Sequence, residues 1–174
     1  DSAWVSWAIQ ICEKYKIEFD DFAILRPTSP FRNQNTIKRA VKEYYKKKGN
    51  SLRAVELSRI HPGKIWKFKK PYIYPIFKKK IRNVPWHSSQ YANLPKYYTQ
   101  NASLEICNKK KFINEKLIAS TKIIPFFTKK IEGLDINDQM DIIKINFFIK
   151  KNKNLIFKKS WFDVIKYTNF KKNI

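Results

Sequence analysis

Phe22-Ala23-Ile24-Leu25 is a short, unbroken apolar run that Pro27 and Pro30 bring to a stop. A run of this length, bounded by prolines, predicts a buried parallel strand that ends in a rigid loop. Helical patterns flank it. Residues 2–16 carry Trp4, Ala8, Ile11 and Tyr15 at helical spacing, with Asp1 or Ser2 as the cap, which predicts a helix laying that stripe on a sheet. From Asn35 the period is helical again, with Ile37, Val41 and Tyr44 on one face and Gly49 as a left-handed stop. Ser51 to Leu57 reads as the next strand. Helix, strand, helix, strand in succession predicts a wound α/β sheet.

Between His61 and Pro95, prolines at 62, 71, 75, 85 and 95 interrupt aromatic-rich extended pieces such as Ile65-Trp66-Lys67-Phe68 and Tyr72-Ile73-Tyr74. This predicts an excursion from the sheet, a β-arm spanning 61–95. Ala102 to Cys107 and Ile123 to Phe127 read as further strands, and Gly133 to Asn137 as a turn into a helix that starts near Asp138 and carries Met140, Ile143 and Phe147 inward. Residues 150–174 are rich in Lys and Asn, with one apolar cluster from Trp161 to Ile165, and are expected to form a weakly attached tail. At 174 residues with 43% hydrophobic content the remainder, 1–149, can bury the core of one domain, which excludes a mostly disordered chain. Asp1-Ser2-Ala3-Trp4 runs straight into helix pattern with no initiator Met and no preceding strand, so an amino-terminally truncated chain is expected.

The net charge of +23 points first to nucleic acid, because dense Lys and Arg neutralise phosphates. Its distribution argues the other way. Only six of the 37 basic residues are Arg, at 26, 32, 39, 53, 59 and 82, and the lysines are scattered in short runs such as Lys46-Lys47-Lys48 and Lys109-Lys110-Lys111. A non-catalytic basic module binding nucleic acid stays as the alternative, to be separated by a steep loss of affinity with salt. Cys12 and Cys107 are too few and too far apart for a zinc knuckle or a redox pair, which fits a reduced, cytoplasmic setting. No apolar run approaches the length needed to span a bilayer, and no signal-peptide pattern is present.

Three constellations could carry chemistry. In Arg26-Pro27-Thr28-Ser29-Pro30-Phe31-Arg32 two prolines pre-set a loop at the end of a strand, where α/β sheets bind ligands; Thr28 and Ser29 offer hydroxyls, and Arg26 and Arg32 could hold an anion. A stiffened turn facing water explains the same residues. Gln90 and the later Gln100, Asn101, Ser103 and Glu105 gather amides, a hydroxyl and a carboxylate suited to a polyhydroxylated ligand, or else form ordinary polar loops. Asp135 and Asn137 point to one side of an extended backbone and could converge on a hard cation, although Asp or Asn before a helix also serves as a cap. With only Gly49, Gly63 and Gly133 in the chain, no phosphate-wrapping glycine loop can be assigned, and no Ser-His-Asp arrangement has local support.

Taken in order, Leu25 to Arg32, Ser51-Leu52-Arg53-Ala54-Val55, His61-Pro62-Gly63-Lys64, Gln100 to Glu105 and Gly133-Leu134-Asp135-Ile136-Asn137 resemble the cytidylyltransferases of the acylneuraminate type, over roughly residues 1–145. These enzymes activate nonulosonic and related acidic sugars as cytidine monophosphate derivatives. The resemblance implies a Rossmann-like nucleotide-diphospho-sugar transferase sheet missing its first βα unit, with an extended Pro- and aromatic-rich arm through which such enzymes form homodimers. It implies CTP and an acidic sugar as substrates, pyrophosphate as product, and Mg²⁺ held by Asp135 and, more weakly, Asn137. The proline loop and the Gln100 to Glu105 segment would line the sugar side.

The chain departs from many relatives at three places. Their amino-terminal strand and basic, Gly-containing nucleotide loop precede anything present here, so the chain alone is expected to be inactive. Arg26 stands where many have Gln, and Asn137 where many have Asp. Many also carry an Arg just before the Leu-Pro pair to grip the sugar carboxylate, where this chain has His87 to Asn93; the expected replacements are Arg26, Arg32 or Arg53.

Overall fold

The apolar run at residues 22–25 forms strand β1 (Asp21–Ile24) in a computed structural model that describes residues 2–119 and 121–151. Helix α1 (Ser2–Lys14) precedes it and α2 (Gln34–Lys47) follows the proline loop. Strand β2 (Ser51–Leu57) leads into two small hairpins, β3 (Trp66–Lys69) with β4 (Tyr72–Pro75) and β5 (Lys80–Ile81) with β6 (Val84–Pro85). The chain returns through the long strand β7 (Tyr98–Asn108), a short helix α3 (Lys109–Glu115), strand β8 (Ile123–Phe127) and helix α4 (Gln139–Lys151).

The main sheet has the order β1-β7-β2-β8. β7 runs antiparallel to both its neighbours, while β2 and β8 are parallel. The fold is therefore α/β with a mixed sheet. The expectation that β1 sits beside a parallel partner is corrected: its hydrogen-bonded neighbour is the antiparallel β7, from Asp21 opposite Asn108 to Ile24 opposite Glu105. A single short apolar run carries no information about its neighbour's direction.

Two apolar clusters sandwich the sheet. Ala40 and Tyr44 of α2 pack with Leu52, Ala54, Leu104, Ile106, Ile124 and Phe126. Val5 and Ile9 of α1 pack with Ile24, Cys107, Phe112 and Ile118. Neighbouring residues Ile106 and Cys107 thus enter different clusters, as strand alternation requires. Removing these side chains from water is the main driving force for the sheet's assembly.

Helix faces differ from the predicted stripes by one position in α1 and by two in α4, while in α2 Tyr44 is buried as predicted and the rest of the stripe shifts by one. In α1 the buried residues are Val5 and Ile9, whereas Trp4 and Tyr15 are exposed. In α2 they are Thr36, Ala40 and Tyr44, and Val41 is exposed. In α4 Ile145 is buried and Met140, Ile143 and Phe147 all face out. The buried face of α2 thus runs through Thr36, Ala40 and Tyr44, with the small Ala40 between the two larger side chains.

Asn33 caps α2, its Oδ1 accepting from the Thr36 N–H at 3.0 Å. At the other end the left-handed position belongs to Lys48, with φ 49°, and not to Gly49 as predicted. Gly49 serves close approach instead: a Cβ there would lie 2.6 Å from the Ile124 side chain. Asn50 donates its N–H to the Lys122 carbonyl at 3.0 Å at the same point, aligning β2 with β8.

The segment 61–95 forms the two hairpins as sheets separate from the main one, and a buried His61 stands at its start, its ring 5.2 Å from that of Trp86 and 5.0 Å from that of Tyr97. His61 Nδ1 accepts from the Gly63 N–H and Nε2 faces the Pro95 carbonyl at 3.1 Å, which fits the tautomer protonated at Nε2. Of the predicted tail, Lys150 and Lys151 belong to α4; the rest, including Trp161 to Ile165, lies outside the described residues, as does Asp1. Among the described residues no helix is long and apolar enough to cross a membrane.

Candidate functional site

A cleft of about 730 Å³ opens where β2 and β7 leave regular pairing. Arg53 is opposite Glu105 and Val55 opposite Gln100, so four residues of β7 have no regular partner between these two pairs. Such an irregularity re-aims side chains. Gln100 and its neighbour Asn101 consequently both reach the cleft, as do Arg53 and Glu56, which strict alternation would put on opposite faces. The proline loop supplies Arg26 and Thr28 from one side, and the segment before α4 supplies Asp135 and Asn137 from another.

Backbone hydrogen bonds lock these segments together. The Ile136 N–H donates to the Thr28 carbonyl at 3.0 Å, and Ser29 Oγ donates to Asp135 Oδ1 at 3.4 Å. The turn before Asp135 is tied to α2, where Arg39 grips Glu132 with Nη1 at 3.1 Å and Nη2 at 2.7 Å while Thr36 Oγ1 donates at 2.8 Å. Burial pushes the Glu132 carboxyl up, but the Arg39 hydrogen bonds, the Lys129 N–H and Thr36 outweigh it and hold the group below the usual carboxylate range. Gly133 lies on the cleft wall because a Cβ there would come within 2.5 Å of both Glu56 Oε2 and Asn101 Nδ2.

Charge in the cleft is largely neutralised internally. Glu105 bridges two guanidinium groups, Arg26 at 3.5 Å and Arg53 in a short contact, and Arg53 Nη1 donates to Gln100 Oε1 at 2.6 Å. Asp141 accepts from Lys144 at 2.9 Å and from the Asn137 N–H at 3.1 Å. The Lys144 ammonium and then the Asn137 N–H hold its carboxyl below the ordinary value.

Of the predicted binding residues, Arg26, Thr28, Gln100, Asn101 and Glu105 line this cleft together with Asp135 and Asn137. Four take other places. Ser29 is buried behind the wall, holding Asp135. Arg32 is buried and donates to the Arg26 and Ser103 carbonyls, so it braces the loop. Ser103 is fully buried and its hydroxyl has no partner among the described residues. Gln90 lines a separate cavity of about 310 Å³ beneath β5 and β6, with Arg82 and Asn93.

Sequence reasoning did not single out Glu56, Arg59, Asp141 or Lys144, all of which line the cleft. Lys144 three residues after Asp141 was a readable helical pair; Glu56 was hidden by the broken strand register. Among the described residues no group of three or more His, Cys, Asp or Glu side chains is gathered to hold a metal ion. No protein-family model and no curated protein matches the chain.

Proposed function

We propose that the protein transfers cytidine monophosphate from CTP to an acidic sugar such as a nonulosonic acid, releasing pyrophosphate. The observation that carries this reading is that four of the ordered sequence motifs, those around Arg26, Arg53, Gln100 to Glu105 and Asp135, contribute side chains to one cleft although they are widely separated in the chain. The mixed sheet, with one antiparallel strand among parallel ones, is compatible with part of a Rossmann-like nucleotide-diphospho-sugar transferase sheet. Amides and carboxylates of Gln100, Asn101 and Glu56 suit sugar hydroxyls, each of which both donates and accepts.

Asp135, Asn137 and Asp141 offer only oxygen donors to this cleft, the chemistry Mg²⁺ prefers, and a cation that keeps most of its waters needs no more than one or two of them. Asp135 would be the main ligand and Asn137 the weaker one. When bound, the ion would neutralise charge on the phosphates of CTP. The exposed hairpin β3–β4, with Phe68 opposite Ile73, fits pairing with a second copy of the chain.

Pyrophosphate release from CTP with Mg²⁺ and a panel of nonulosonic acids, catalysed by the protein expressed from its whole reading frame, tests the proposal. Asp135→Ala is expected to lower the rate more than about 100-fold, beyond the effect of an outer-shell change, with an unchanged circular dichroism spectrum. Full activity in that variant would remove Asp135 from the metal site. A reading frame lacking a strand and a basic, Gly-containing loop ahead of Asp1 would overturn catalysis altogether.

A further inference from the structure

We propose that Arg59 holds the carboxylate of the acidic acceptor, an inference that rests on the transferase reading above. The cations on the cleft wall are Arg26, Arg53, Arg59 and Lys144. Arg26 and Arg53 share Glu105, and Arg53 also serves Gln100. Lys144 is held by Asp141. Arg32, close by in sequence to Arg26, has its guanidinium committed to two backbone carbonyls. The three arginines expected to replace the missing carboxylate anchor are thus already engaged. Among the described residues Arg59 is the one cleft cation with no ion pair and no side-chain hydrogen bond.

Its placement suits an anchor. Arg59 lies just past the end of β2, the strand that carries Arg53 and Glu56 into the cleft. Tyr91 fixes the backbone there, its hydroxyl donating to the Arg59 carbonyl at 3.1 Å and accepting from the His61 N–H at 2.6 Å. The Ser58 N–H donates to the Tyr97 carbonyl at 2.8 Å. A pinned backbone with an exposed guanidinium presents a planar fork that matches a carboxylate in bidentate fashion and loses little hydration beforehand. Glu56 does not occupy it, because its Oε2 lies against Gly133. Glu56 and Asp135 would repel an acidic group elsewhere in the cleft, which directs the carboxylate toward Arg59.

Calorimetric titration of the protein with N-acetylneuraminate and its methyl ester as probes tests this. The wild type is expected to bind the acid at least about 10-fold more tightly than the ester, one well-made charge pair being worth a factor of that order. Arg59→Ala should lose that preference by weakening the acid alone, Arg59→Lys should recover part of it, and in turnover the loss should fall on KM for the acid. Retention of the acid preference by Arg59→Ala would overturn the assignment. So would equal binding of both probes by the wild type; pyrophosphate release from CTP with either probe would then leave the transferase reading standing. Absence of that release with every acidic acceptor tried would overturn both.

Discussion

Arg32 and Ser103 are neighbours in space with opposite energetic roles. Arg32 fills a buried position and satisfies two carbonyls, so Arg32→Ala should destabilise the protein by about 2 kcal/mol, the usual cost of orphaning buried polar groups. Ser103 keeps, at full burial, a hydroxyl with no partner among the described residues. Ser103→Ala should be neutral or stabilising by up to about 1 kcal/mol, since it removes an unsatisfied group. Urea unfolding midpoints of the two variants measure the contrast; if Ser103→Ala were as damaging as Arg32→Ala, the hydroxyl would have a partner after all. Cys107 is a third buried side chain with a defined state. Burial first, then the nearby Asp21, Glu115 and Glu105 carboxylates, push its thiol up to about 11, which keeps it unreactive and out of the chemistry.

The elements around the cleft are held in register by a few ties between turns and helices. One is the bidentate Arg39–Glu132 pair, which fastens the turn before Asp135 to α2. Because the Glu132 carboxyl lies below its ordinary value, its contribution is fully present above that value and fades as pH falls through the folded one. Glu132→Gln is therefore expected to cost about 2 kcal/mol at neutral pH, with the gap to wild type closing only as pH falls below the ordinary carboxylate range. Denaturation at a series of pH values reads this directly, and a gap independent of pH would place the effect in packing.

At the scale of the molecule, many large apolar side chains of the described residues face out. The hairpin β3–β4 leaves Phe68 and Ile73 68% and 56% accessible as a cross-strand pair, a patch of the kind that marks an association surface. Replacing both with Ser should convert the proposed dimer to monomer in sedimentation equilibrium without changing the circular dichroism spectrum. A wild-type protein that sediments as a monomer would remove the arm from this role.

Apolar runs and proline punctuation made most elements legible: β2 and β8 form over the residues that their patterns predict, and β1 is displaced by one. Strand and helix existence follows from local burial and turn chemistry, which act over a few residues. Neighbour direction does not, because the antiparallel β7 enters between β1 and β2 only after the chain has made its arm. Buried helix faces followed the periodicity only in part, since in α2 Thr36 and Ala40, one position from the apolar Ile37 and Val41, join Tyr44 on the sheet. The proline loop and Asp135 were visible as candidates, yet local pattern could not tell that Arg32 turns inward, that Ser103 is sealed within β7, or that Arg59 has no ion pair among the described residues. Those outcomes depend on which charges meet across the irregular β2–β7 pairing, and such meetings are made by contacts between residues far apart in the chain.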